Sequence, residues 1–193
     1  MKDKDCIPEK DLFGHAKSIS IMAMKVVIEL TEKCICKIKC NDGGNGTGFF
    51  CNIVKDDWES YKVLMTNNHV LNEKDINIGE IIKFSMNNEK EKYEIEIDKD
   101  RRVYTNQEYD ITIIEIKKND GLKKESFLEI DNDIFKENIE KIYKQESIYL
   151  LHYPKGKEMN CANGVIKRIY EDIIEHTCDS SEGSSGGPLI NST

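Results

Sequence analysis

The sequence predicts an all-β protein, a sandwich or barrels, with one helix added near its N-terminus. Three observations carry this expectation. Short apolar runs with polar connections dominate the chain, Gly- and Asn-rich clusters punctuate them, and no helix-period segments separate them in a regular βαβ alternation. With 193 residues the chain can form one large domain or two small, closely packed ones, and either buries a sizeable core.

Taken in order, Ile19, Met22, Ala23, Val26, Val27 and Leu30 recur at helical spacing and predict a helix that packs through one face. Over 34–40 the period changes to two. Cys34, Cys36, Ile38 and Cys40 then share one face and Lys37 and Lys39 the other, which predicts a half-buried strand. The cluster NDGGNG at 41–46 supplies residues that tolerate tight turns and joins this strand to a second at 47–54, making a hairpin. Further strands are expected at 61–66, 81–85, 93–97, 111–116, 147–152, 164–170 and 173–177. The charged, weakly patterned stretch 117–144 reads as a crossover between two halves, with a short helix over 134–142.

Composition narrows the function. The formal net charge is −8, with charged residues at 33% spread along the whole chain, so no basic stripe is present to neutralise phosphates and a nucleic-acid partner is not expected. The apolar stretch 19–30 contains Lys25 and Glu29 and is too short and too charged to span a bilayer, and it lacks the pattern of a secretory signal. No membrane association is therefore expected. Seven cysteines (Cys6, Cys34, Cys36, Cys40, Cys51, Cys161, Cys178) form an odd set without framework spacing, which fits reduced thiols and a cytoplasmic or otherwise intracellular setting. The CxCxxxC run could suggest zinc. No second ligand pair follows it, and alternating strand cysteines behave as small core hydrophobes, so no metal is expected.

The chemistry concentrates in GSSGGPL at 183–189. Its glycines allow a sharp turn that brings two backbone N–H groups to bear on one point beside a serine hydroxyl, although a Gly- and Ser-rich run can equally be a loop. A serine nucleophile needs a histidine in hydrogen-bond reach and an acid to fix its tautomer. Of four histidines, His69 stands at the tip of an apolar strand in LMTNNHV; it is the best candidate base or, alternatively, a structural histidine. His15 lies in a charged leader, His152 precedes a Tyr-Pro turn, and His176 lies in a strand close in sequence to the serine loop. Asp110 stands immediately before the apolar run of YDITIIEI, where it is either solvated at a strand end or hydrogen-bonded to something specific.

Together GTGFF, TNNHV, YDITII and GSSGGPL, in this order, resemble the trypsin and chymotrypsin-like superfamily of serine peptidases over roughly residues 34–189. The order His, Asp, Ser matches that superfamily and differs from the subtilisin and α/β-hydrolase orders. The resemblance implies two antiparallel six-stranded β-barrels with the site between them: a helical extension over 1–33, a first barrel with His and Asp over 34–120, a crossover over 121–144, and a second barrel with Ser over 145–193. It implies Ser185 as nucleophile, His69 as base, Asp110 as its orienting acid, and the amides of Gly183 and Ser185 as the oxyanion hole, with a polypeptide substrate and no cofactor. The alternative on the same fold is an inactive peptide-binding module.

Within the resemblance, Ser184 occupies the place where digestive members carry an aspartate that pairs with a new N-terminus. Val70 stands where secreted animal members usually have a disulfide cysteine. With YPKG at 153–156, these departures point to the glutamyl endopeptidase and stress-protease branches. Asp179, six residues before Ser185, stands at the offset of a trypsin-like pocket carboxylate, or is simply a loop aspartate. Only eight residues follow Ser185 (193 − 185 = 8), so the second barrel is expected to be C-terminally incomplete.

Overall fold

A computed structural model describes residues 18–54, 60–123, 126–170 and 173–191, so His15 and Cys6 lie outside the described residues. A helix, α1 (Ile21–Cys34), leads directly into the first strand. Ser20 caps it, its hydroxyl accepting from the Ala23 N–H at 3.1 Å. The helix runs four residues beyond the apolar pattern and takes Cys34 with it. Its buried stripe is narrower than the sequence suggests, with Val27 and Cys34 buried and Ile19 and Leu30 packed beside them, while Met22 and Val26 face outward. An apolar residue on nearly every side of a helix leaves periodicity unable to select the packed face.

The strands are β1 (Ile35–Lys39), β2 (Asn45–Val54), β3 (Ser60–Thr66), β4 (Ile81–Met86), β5 (Glu91–Glu96), β6 (Val103–Asn106), β7 (Ile111–Glu115), β8 (Leu128–Glu129), β9 (Ser147–His152), β10 (Asn160–Tyr170), β11 (Ile173–His176) and β12 (Leu189–Asn191). They form two sheets. The first has the order β5-β4-β1-β2-β3-β7-β6 and curls into a half-barrel, with β8 added in parallel to β2. The second has the order β11-β10-β9-β12 and is an incomplete barrel of four strands among the described residues. Eight and four strands thus stand where six and six are expected. The extra pairing comes from β8, which lies in the crossover, and from the short hairpin strand β6. The helix expected over 134–142 is divided into a 3₁₀ turn (Asn132–Phe135) and a single helical turn, α2 (Ile139–Tyr143), with Asn138 between them in a left-handed conformation.

Cys36 and Ile38 of β1 face the interior of the first sheet with Phe50, Leu64, Phe84 and Ile114, where Phe50 packs against Phe84 and Phe127. Ile35, on the opposite face, joins Val27, Cys51, Val63, Tyr149, Leu151 and Tyr153 in a core between the two sheets. The strand is therefore buried on both faces until Lys39, rather than on one. Even Lys37 is covered; its ammonium meets Glu89, donates to the Gly156 carbonyl at 3.1 Å and lies 5.7 Å from the Tyr153 ring centroid. Arg101 ties the end of β5 to the end of β7. Its guanidinium donates to the carbonyls of Glu96 and Glu115 and forks onto Asp120 at 2.7 and 2.8 Å, so the buried charge is both paired and hydrogen-bonded.

The cysteines of β1 and β2 belong to these cores. Burial pushes the Cys34 thiol up to about 11 and Cys51 up to about 12, and raises Cys36 further, which disfavours the thiolate that metal binding needs. Among the described residues no helix is long and apolar enough to cross a membrane.

Candidate active site

Three loops, two from the first sheet and one from the second, carry the predicted site residues. The first follows β3, where the amides of Val70 and Leu71 both donate to the Asn67 carbonyl and turn the chain tightly. Buried Val70 and Leu71 anchor the turn in the core, and the Leu71 carbonyl accepts from the Thr112 hydroxyl at 2.6 Å. Asn68 reaches Thr105, which in turn meets Thr112 at 2.6 Å. His69 is left at the surface of this braced turn.

Asp110 closes the β6–β7 hairpin with a φ of 49°, a left-handed conformation that Asp and Asn adopt more readily than other non-glycine residues. Its carbonyl accepts from the Asn67 side chain at 2.7 Å, tying the hairpin to the histidine turn. Its carboxylate then binds His69 twice: Oδ1 accepts from the backbone N–H at 2.9 Å and Oδ2 lies 2.7 Å from Nδ1. An ionised carboxylate can only accept, so the proton resides on Nδ1 and, in the neutral ring, Nε2 carries the lone pair. Of the two sequence readings of Asp110, the specific partner holds, although both side chains remain half exposed.

The third loop, 179–187, bears GSSGG and is docked on β2 through Thr47, which is fully buried. The Thr47 N–H donates to the Ser185 carbonyl at 2.8 Å, its hydroxyl donates to the Gly183 carbonyl at 2.8 Å, and the same oxygen accepts from the Tyr153 N–H at 3.0 Å. Thr66, three residues before His69, donates its hydroxyl to the Thr47 carbonyl at 2.7 Å. Thr47 therefore connects the serine loop to the strand that ends in the histidine turn.

Gly183 and Gly186 take φ of 84° and 86°. A side chain at Gly186 would collide with the Thr47 carbonyl and the Thr66 hydroxyl, so the close approach demands glycine. Among the described residues the N–H groups of Gly183 and Ser185 donate to no backbone carbonyl. Among the described residues no hydrogen bond joins Ser185 Oγ to His69, whose bonds are to Asp110.

Asp179 is exposed and lines an open hollow of about 920 Å³ with Asn88, Glu89, Lys155, Lys157 and Ser181. An apolar hollow of about 360 Å³ lies elsewhere, between the sheets, against Met65, Leu128, Ile166 and Leu189; none of His69, Asp110 and Ser185 lines it.

Sequence reasoning missed Thr47, Asn67 and His152. His152 is buried, and its Nδ1 lies 2.6 Å from Ser184 Oγ. Its position at the end of the apolar run SIYLLH was the available signal, since a polar residue there needs a buried partner.

A comparison with protein families matches residues 46–193 to the trypsin-like peptidase domain. The chain belongs to this family. The match takes in the three loops and the strands of both sheets from Gly46 of β2 onward, and leaves out α1 and β1. Among solved structures, the chain is similar to a serine endoprotease from Yersinia pestis, at 16% identity and a TM-score of 0.62, covering 91% of this chain and 55% of that one. It is similar also to Deg5, at 17% identity and a TM-score of 0.61, covering 91% and 83%. The Rv3671c protease of M. tuberculosis in an inactive form matches at 19% identity and a TM-score of 0.60, covering 93% and 80%. The chain thus spans about half the length of the Yersinia protein. A search of curated proteins found no match. At these identities the likeness concerns the fold, which is the trypsin-like arrangement with the second barrel incomplete.

Proposed function

We propose that this trypsin-like peptidase domain is a serine endopeptidase that hydrolyses peptide bonds through Ser185, His69 and Asp110. The observation that carries the reading is the pair of bonds from His69 to Asp110, because they leave the Nε2 lone pair as the ring's basic site. Ser185 Oγ attacks the scissile carbonyl and its proton passes to Nε2. The amides of Gly183 and Ser185, free of backbone acceptors, receive the developing oxyanion. The imidazolium, stabilised by the Asp110 carboxylate, then protonates the leaving amine, and water hydrolyses the acyl-enzyme by the same route. Asp179 fits the rim of the substrate-binding side, in the hollow beside the serine loop. The neighbours described as a serine endoprotease and as proteases support the activity class. The buried free thiols Cys36, Cys51 and Cys178 suit an intracellular protein.

The test is cleavage of an unfolded protein and of a quenched peptide library by the folded chain, with Ser185→Ala, His69→Ala and Asp110→Asn alongside. Asp110→Asn is expected to cut turnover by about 10⁴-fold, because it loses the tautomer control. Peptide binding by a folded chain with no turnover in any form would instead support a binding module.

A further inference from the structure

The residue before the nucleophile, Ser184, is buried and its hydroxyl is fully engaged. Ser184 Oγ accepts from the Ser181 N–H at 3.0 Å and lies 2.6 Å from His152 Nδ1. The loop backbone repeats the closure, with the Ser184 N–H donating to the Ser181 carbonyl and the Gly187 N–H to the Ser184 carbonyl. Oγ accepts from one amide and keeps its own proton and a second lone pair for the contact with Nδ1. With the hydroxyl donating, His152 accepts, is neutral, and carries its proton on Nε2. It ends β9, all six residues of which are buried, so the ring stands on one of the most enclosed strands of the second sheet.

Resting on the proposed function, we infer that His152 is a positioning residue: through Ser184 it clamps the loop that presents Ser185 and the Gly183 amide. The segment from Gly183 to Ser185 is thereby anchored on both sheets. Thr47 of the first sheet holds the carbonyls of Gly183 and Ser185, and His152 of the second holds the side chain between them. Freed from His152, Ser184 would swing with its neighbours and displace the amides that flank it. The burial that holds the histidine below its ordinary pKa keeps the clamp closed; the Asp179 carboxylate is the charge acting on the ring, and it opposes that effect.

The experiment has two arms on the whole chain. In the first, reaction with a fluorophosphonate probe is timed for wild type, Ser184→Ala, His152→Leu, His152→Asn and the Ser184→Ala/His152→Leu pair. Asn places an acceptor oxygen close to the position of Nδ1. The clamp predicts that Ser184→Ala and His152→Leu each slow labelling at least about tenfold, that the double variant is no slower than either, and that His152→Asn restores the rate to within about threefold. Equal rates throughout, or His152→Asn as slow as His152→Leu, would overturn it. In the second arm, ¹⁵N NMR of the imidazole reads the tautomer whether or not the chain is active. A proton on Nε2 that persists below the ordinary histidine range is expected, together with shifted amides over 181–187 in Ser184→Ala. A proton on Nδ1 would overturn the inference. A wild type that does not label at all counts against the proposed peptidase, while the NMR arm still decides the clamp.

Discussion

Replacing Thr47 by valine keeps the shape of a fully buried side chain and removes one hydroxyl. That hydroxyl serves the Gly183 carbonyl at 2.8 Å and the Tyr153 N–H at 3.0 Å, and both lose their partner. An orphaned buried backbone group costs about 1–3 kcal/mol, so two cost roughly 2–6 kcal/mol. Because both relax around the same vacated site, the effects are not additive, and a loss of about 3 kcal/mol is expected. For a chain of this size that lowers Tm by about 6–12 °C. Thr47→Ser keeps both hydrogen bonds and loses one methyl group, for about 1 kcal/mol. The assay is urea unfolding followed by circular dichroism, with the slope compared between variants to exclude a change of denatured state. Valine within about 0.5 kcal/mol of wild type, or serine as damaging as valine, would refute the reasoning, since Thr47 would then be filling space only.

Gly186→Ala forces a β-carbon into the Thr47 carbonyl at a positive φ. The conformation alone costs roughly 1–2 kcal/mol, and activity is expected to fall more than stability does, read as turnover beside the unfolding midpoint. Asp120→Asn leaves the buried Arg101 guanidinium without its charge partner and is expected to destabilise by about 3–5 kcal/mol in the same unfolding assay; a loss below about 1 kcal/mol would show that water replaces the carboxylate. Burial holds His152 and His176 below their ordinary value of 6.5, so the unfolded chain binds protons that the fold refuses. Their contribution is present above pH 6.5 and is lost as pH falls below it, more weakly for the partly exposed His176, which solvent screens. His152→Asn should reduce the slope of stability against pH between about pH 6.5 and 5, measured by unfolding midpoints across that range.

Where local pattern and tertiary environment agree, the sequence was readable. The NDGGNG hairpin, β3, β4 and β9 emerged from turn chemistry and apolar runs, His69 and Asp110 from residue type placed at strand ends, and Ser185 from the glycine-rich run GSSGGPL. β6, β8 and β12 did not, because each is too short to show a period and lacks the charged alternation that marked the equally short β11. The exposed face expected for Lys37 and Lys39 failed at Lys37, since burial there depends on Glu89 and the turn at Gly156, both remote in sequence. For the same reason, Thr47 could not be recognised as the support of the serine loop: its partners lie 136 and 106 residues away. Asn67 and His152 likewise matter through what they touch, which no single-sequence pattern records.

The proposed peptidase activity requires Ser185 to be a nucleophile activated by the bonded pair His69 and Asp110. Intact-mass measurement after exposure to a fluorophosphonate, followed by peptide mapping, tests it most directly. Stoichiometric modification on Ser185 is expected, abolished in Ser185→Ala and strongly slowed in His69→Ala. A folded chain that acquires no adduct, or acquires it at another residue with Ser185 untouched, would contradict it.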